Sequence, residues 1–184
     1  MPAPDPQTAR PPNAVNDALD ALATGVRRLH AHEDTGALAA LRRPNNEHAP
    51  AFHALLAQSA PVHLFAGGSD LDTMTYRFAR VVQIMAMKPD GLGSKPFGAV
   101  LHAIGFPQMR LAMLLNAQGA TLDDLLRRAA RRIALSDEPM PYRELGRMLL
   151  FGGRVDRRDK LDDLRLKIAR DFQRATRSAA KDSD

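Results

Sequence analysis

Apolar residues recur three and four positions apart in nearly every stretch between the prolines and glycines of this chain, and nowhere do β-branched residues alternate with polar ones. The first pattern keeps one face of a helix apolar; the second is what a half-buried strand would require. The chain is therefore expected to be all-α, with about nine helices in two helical bundles.

The punctuation sets the helix ends. Val15, Leu19, Leu22, Val26 and Leu29 place a first helix from Ala14 to His32. Thr35 stands where it can cap a second, which runs to Arg42 and stops at Pro44. Pro50 opens a third, AFHALLAQ. After a loop with Gly67, Gly68 and Ser69, Asp70 is placed to cap a helix to about Met87, buried through Leu71, Met74, Phe78, Val81, Val82 and Met85. Arg77 and Arg80 lie off that stripe.

Residues 88–96, KPDGLGSKP, are dense in breakers and read as a linker between an N-terminal bundle over 14–87 and a basic C-terminal bundle over 97–178. In the second bundle, a helix from Phe97 to Ile104 closes at Gly105, and Pro107 starts QMRLAMLLNA. Pro141 starts YRELGRMLLF, which Gly152 and Gly153 stop. Leu161, Leu164, Ile168, Phe172 and Ala175 carry a last helix over 155–176. Residues 1–13, with five prolines, and residues 179–184 read as disordered tails.

The functional reading starts from the remaining helix, residues 121–135 (TLDDLLRRAARRIAL). Leu122, Leu125, Leu126, Ala129 and Ile133 form its apolar stripe, and Arg127, Arg128, Arg131 and Arg132 fall on the opposite side. Thr121 with Asp124 reads as a shortened capping box, and Asp123 adds charge to the first turn. On this reading the acids suit the helix dipole and leave the arginines free to hold a phosphate backbone. A solvated helix in a chain with 21 Arg and 5 Lys would also carry such a face.

The net charge of +5 is unevenly placed: residues 1–70 hold 5 basic and 7 acidic side chains, residues 71–120 hold 5 and 2, and residues 121–184 hold 16 and 12. The later two-thirds therefore suit a polyanionic partner. Aromatic residues are 5% with no Trp, which disfavours reading bases by stacking and leaves the nucleic-acid backbone as target. The chain has no cysteine, which excludes disulfides and thiolate chemistry and points to a reducing compartment. No run approaches the ~18 apolar residues of a membrane span, and the N-terminus lacks the apolar core of a signal peptide. A cytoplasmic protein with no membrane partner is expected.

Catalytic and metal constellations are not found. His30 and His32 diverge on a helix, and His48, His53, His63 and His102 lack the i, i+4 pairing of a helical zinc site. Asp70 and Asp72 are accounted for as cap and first-turn charge. Asp156, Asp159, Asp162 and Asp163 mix with Arg157, Arg158, Lys160 and Arg165 as a salt-bridged outer face. No phosphate-cradling glycine loop follows a strand, and no Ser has the context of an activated nucleophile. The expectation is no catalytic residue, no metal, no cofactor and no enzymatic activity.

Besides Arg127, Arg128, Arg131 and Arg132, the candidate nucleic-acid-binding residues are Arg42 and Arg43 at a helix end, Lys95 at a helix start, Arg110, and Arg143 with Arg147 one turn apart. Arg110 is the most informative, because it stands in a mostly apolar helix with no acid within ten residues.

The order of these segments resembles a known family. An early Leu41-Arg42-Arg43 element is followed by Pro50-Ala51-Phe52, then by a helix from Phe97-Gly98 to Gly105, and then by Arg110 ahead of Leu114-Leu115. The repeated-arginine helix comes next, and Tyr142, Leu145, Arg147 and Leu149 close the set. Over roughly residues 14–178 this is similar to the CasB family, the small subunit of the type I-E CRISPR surveillance complex Cascade. The chain departs from that pattern at Ala99 and Asn116, where the family has basic residues, and at Tyr142 and Phe151-Gly152, where tryptophan is common. No contact is carried over to Ala99 or Asn116.

The resemblance implies a non-catalytic, two-bundle helical subunit, present in two copies beside the crRNA-bearing subunits. Its implied partners are the other Cascade subunits, crRNA, target DNA and a second copy of itself. Its implied task is to hold the crRNA–target heteroduplex and the displaced strand without reading sequence. The residues alone leave a second reading, a helix-turn-helix transcriptional regulator built on the helices around Gly119. That recognition helix would carry four arginines and no Asn, Gln or Ser to discriminate bases. A third is a scaffold that uses its helices for protein contacts alone.

Overall fold

A computed structural model describes residues 14–59, 71–152 and 154–181. The tail expected over 1–13, the loop with Gly67, Gly68 and Ser69, His63, the cap expected at Asp70, Gly153 and residues 182–184 lie outside the described residues. The fold is all-α. Among the described residues nine α-helices are present: α1 (Ala14–Ala31), α2 (Thr35–Arg42), α3 (Pro50–Ser59), α4 (Leu71–Met87), α5 (Phe97–Ala103), α6 (Gln108–Asn116), α7 (Gly119–Ala134), α8 (Tyr142–Phe151) and α9 (Arg158–Lys181).

Several ends differ from the sequence reading. The cap of α2 is Asp34, whose Oδ1 accepts from the Ala37 N–H at 2.9 Å, and not Thr35. The aspartate precedes the helix and can reach back over its first turn, whereas Thr35 is already helical. Helix α7 begins at Gly119 behind Gln118, with no side-chain cap, so Thr121 and Asp124 do not form a capping box. A 3-10 turn at Val155–Arg157 precedes α9, which continues to Lys181, past both the expected end at Thr176 and the start of the expected tail at 179. Gly105 behaves as expected: its φ is +64°, and Phe106 N–H returns to the Leu101 carbonyl at 2.9 Å.

Helix α4 organises the core. Val81, Val82, Gln83, Ile84, Met85 and Ala86 are all buried, so its second half is enclosed on every side instead of along one stripe. A helix enclosed in this way must pack against several neighbours. It contacts α1 and α2 from its own half of the chain, and α7 and α8 from the other half. One continuous apolar core results, running from Leu19 and Leu22 through Phe52, Phe78 and Met85 to Leu126, Ile133 and Leu145.

The connector over 88–96 is fastened to the second half. Leu92–Gly93 (β1) pairs in parallel with Met140–Pro141 (β2), a short ladder that the sequence pattern did not anticipate. Two residues are too few to show a period. Lys88 Nζ donates to the carbonyls of Ser136 and Glu138, and Arg27 Nη2 donates to the Leu92 carbonyl at 2.8 Å.

Helix α5 packs backbone-close on α9 at Gly98. A Cβ there would lie 2.7 Å from the Phe172 amide nitrogen and closer still to the Ile168 carbonyl oxygen, both backbone atoms that cannot rotate away. Gly98→Ala should therefore cost about 2–3 kcal/mol through forced separation of the two helices. Urea unfolding of the variant against the parent chain checks this; an unchanged midpoint would show that the helices do not meet this closely.

Candidate nucleic-acid interface

The helix of the arginine row is built as expected on its apolar side. Leu122, Leu126, Ala129, Ala130 and Ile133 are buried, while Arg128, Arg131 and Arg132 are exposed and Arg127 is half-buried. The acids, however, do not stay with the dipole. Asp124 pairs with Arg127 at 2.6 Å and with Arg128 at 2.7 Å, and these partners, Arg127 first, hold its carboxyl below the usual range. A residue three or four positions on lies directly above on a helix, so Asp124 reaches both guanidiniums. Asp123 is turned into the protein, where burial pushes its pKa up against the opposing field of Arg77 and Arg80. The expectation that these acids leave the arginines un-neutralised is thus corrected for Arg127 and Arg128. Arg131 has no partner among the described residues.

Arg132 donates to the carbonyls of Ile104 and Gly105, both at 3.2 Å, and lies 6.0 Å from the Phe106 ring. It closes the C-terminal end of α5, where unpaired carbonyls favour a cation. Arg42 does the same for α4, with Nε donating to the Ala86 carbonyl at 2.6 Å. Arg43 is exposed and its guanidinium has no partner among the described residues. Arg110 is likewise exposed and free among them, between the outward Met109 and Met113.

Lys95, Arg143 and Arg147 come together. With Lys167 of α9 they line one concavity of about 230 Å³, walled also by Asn16, Ser94 and Glu144. Three of these four cations already hold a carboxylate: Lys95 binds Glu138 at 2.6 Å, Arg143 binds Asp20, and Lys167 binds Glu144. Glu144 is buried, and its second oxygen accepts the Phe97 N–H at 2.6 Å, so α8 caps the start of α5. Arg147 lies 5.7 Å from the Phe151 ring and has no carboxylate partner among the described residues. Asp171 also lies 3.8 Å from Lys167, so Arg147 is the cation of this concavity that keeps its charge unpaired among the described residues.

The sequence reading missed a basic face on α9. Arg170, Arg174, Arg177 and Lys181 are spaced 4, 3 and 4 apart, all exposed, along one groove with Leu166, Ala169, Gln173 and Ser178. Among the described residues Asp171 is the acid that pairs with this row, 3.6 Å from Arg174. The spacing was available as a signal, because it is the same period that identifies an apolar stripe. Ending the helix at Thr176 hid it. Helix α5 links this face to α7: its C-terminal end takes Arg132, and His102 meets Phe172 of α9 edge-on with ring centroids 5.5 Å apart.

By contrast, Arg77 and Arg80 are engaged within the protein. Arg77 is half-buried and donates to the Leu149 carbonyl at 2.6 Å, with burial lowering its pKa. Arg80 donates to the Pro44 carbonyl and to Gln83, and lies 4.5 Å from the Tyr76 ring. Among the described residues no group of three His, Asp or Glu side chains is placed to hold a metal ion, and no helix is long and apolar enough to cross a membrane.

Comparison with family models, with curated proteins and with solved structures finds no match.

Asp20 gives the cleanest pH test of the paired cations. Its carboxylate accepts from Arg143 Nε and Nη2, both at 2.7 Å, and from the Tyr142 hydroxyl at 2.9 Å. Arg143 is the larger influence holding its pKa below the usual carboxylate range. A depressed carboxylate contributes stability above its unfolded pKa and loses it as pH falls through the folded value. Asp20→Asn should lower stability at about pH 7 by about 1 kcal/mol or less, since the pair is exposed, and the deficit should be smaller at about pH 3, below the unfolded carboxylate value. Urea unfolding at both pH values checks it; an equal deficit at the two would sink the assignment.

Proposed function

We propose that this chain is a non-catalytic small subunit of a type I-E Cascade complex, which grips nucleic-acid backbone without reading sequence and so stabilises the crRNA–target DNA R-loop and the displaced strand. The observation that carries the reading is a set of exposed cations with no acid or carbonyl partner among the described residues, which includes Arg43, Arg110, Arg131, Arg170 and Arg177. A guanidinium with no internal partner keeps its donors for phosphate oxygens, and its planar fork matches them. Its fixed charge also attracts a polyanion at a distance.

The outward residues of α7 support backbone contact over base reading. They are Gly119, Ala120, Thr121, Arg128, Arg131 and Arg132, and no amide side chain stands among them to discriminate adenine. The ordered resemblance to the CasB family supplies the assembly and the partners: other Cascade subunits, crRNA, target DNA and a second copy of the chain. Strand exchange in such a complex is nearly balanced, so a few phosphate contacts suffice to bias it. The seat of this activity would be the cytoplasm, where crRNA and invading DNA meet.

Arg110→Glu with Arg131→Glu should leave the fold intact, because neither side chain holds an internal partner among the described residues. In the assembled complex the pair should weaken target DNA binding about tenfold. The slope of log affinity against log salt should fall by about 0.7 for each single-strand contact removed. Fluorescence anisotropy across about 50–200 mM salt measures both. Unchanged affinity and slope would overturn the reading.

A further inference from the structure

One cavity lies apart from the arginine faces described above and takes in Arg158 and Arg165 from the expected salt-bridged face of α9. Arg154, Arg158 and Arg165 converge on a space of about 480 Å³ between the start of α9 and the start of α7, walled by Phe151, Leu161, Gln118 and Gly119. That volume is within the range of small-ligand sites. The carboxylates that pair with two of these arginines do not line it. Asp156 binds Arg154 at 2.8 Å and Asp162 binds Arg165 at 2.9 Å, and their side chains are 56% and 51% exposed. Three guanidiniums against two carboxylates leave one positive charge in surplus. Arg158 is exposed at the rim with no partner among the described residues, and the buried Nε of Arg165 also lacks one.

The walls define the rest of the ligand. Phe151 and Leu161 make one side apolar, so a bare inorganic anion would leave that surface wet. Gln118 provides no side-chain cap to α7 and the first turn holds no acid, so its amides add positive potential. Gly119, at φ +53°, has nothing within 4 Å of where a Cβ would stand, which leaves room for close approach. A surplus of one charge matches a monoanion with an apolar body, and does not match a polyphosphate.

We propose that this cavity seats one phosphodiester of a bound strand, with its phosphate on Arg158 and the α7 start and its sugar-base portion against Phe151 and Leu161. The inference deepens the function proposed above and rests on it, by naming a discrete nucleotide seat in addition to the open arginine faces. Binding there fixes register along the strand through the phosphate and the apolar wall, and Gln118 is the one side-chain amide lining the cavity.

The test uses the full chain and the dinucleotide TpT, with thymidine and inorganic phosphate as probes that lack one half each. Titration followed by ¹H–¹⁵N NMR should shift the Gly119 amide and the Arg158 Nε signal with TpT, and shift them at least tenfold more weakly with either half. Arg158→Ala, a change at an exposed side chain, should weaken TpT binding about tenfold with the other amide signals in place. If TpT perturbs Arg110 or Arg131 and leaves Gly119 unmoved, or if Arg158→Ala binds TpT as the parent does, the seat is disproved and the wider function stands. If neither TpT nor a longer single strand moves any signal, both fail.

Discussion

Carbonyl oxygens stranded where helices end are satisfied here by cationic side chains. Every helix terminus leaves backbone groups without partners, and a buried end must find them or lose about 1–3 kcal/mol for each group left dry. Arg42 takes the Ala86 carbonyl, Arg77 takes Leu149, Arg132 takes Ile104 and Gly105, and Arg165 takes Ala117, while Lys88 takes Ser136 and Glu138 in the loop after α7. Gln83, buried beside them, donates to the carbonyls of both Arg42 and Arg43 at 3.0 Å and accepts from Arg80. A donor-only side chain with several N–H groups is suited to this work, and its flexible stem packs along apolar surface on the way.

Part of the arginine bias therefore has a structural origin, and this separates two populations that look alike in sequence. Arg42 and Arg43 are adjacent, yet one is spent on α4 and the other faces outward alone. Arg131 and Arg132 divide in the same way. Adjacent positions differ by about 100° around a helix axis, so one of a pair can turn to a neighbouring helix end while its companion stays in solvent. A phosphate-binding surface has to be assembled from the second population.

The helices were legible because their signals are local. The stripe of Leu122, Leu126 and Ile133, the proline starts at Pro50 and Pro141, and the left-handed Gly105 each act within a turn or two of chain. The partners of the cations were not legible, because they come from contacts of high sequence separation: Arg143 to Asp20, Arg77 to Leu149, Glu144 to Phe97. The second-half burial of α4 was visible in VVQIMA as a run with one polar residue, but a stripe model assigns it only one face. The errors on α7 had a local cause. Asp124 was read as serving the helix dipole, when its i+3 and i+4 arginines offered stronger, charge-assisted partners.

Fastening the connector to the second half bears on how such a chain could hold a strand. Lys88, Arg27 and the β1–β2 ladder tie 88–93 to α1 and to the loop before α8, and the shared core leaves no apolar gap between the halves. Cations mounted on this frame keep their spacing, so under the proposed function they would meet a polyanion already arranged, with little conformational entropy lost on binding. A flexible basic tail could match the charge but would lose that entropy for each contact it ordered. Under the proposed function, rigid placement would also let backbone grip coexist with indifference to sequence. Phosphates recur at a fixed interval whatever the bases are, so a fixed array of guanidiniums can match the interval and ignore the rest.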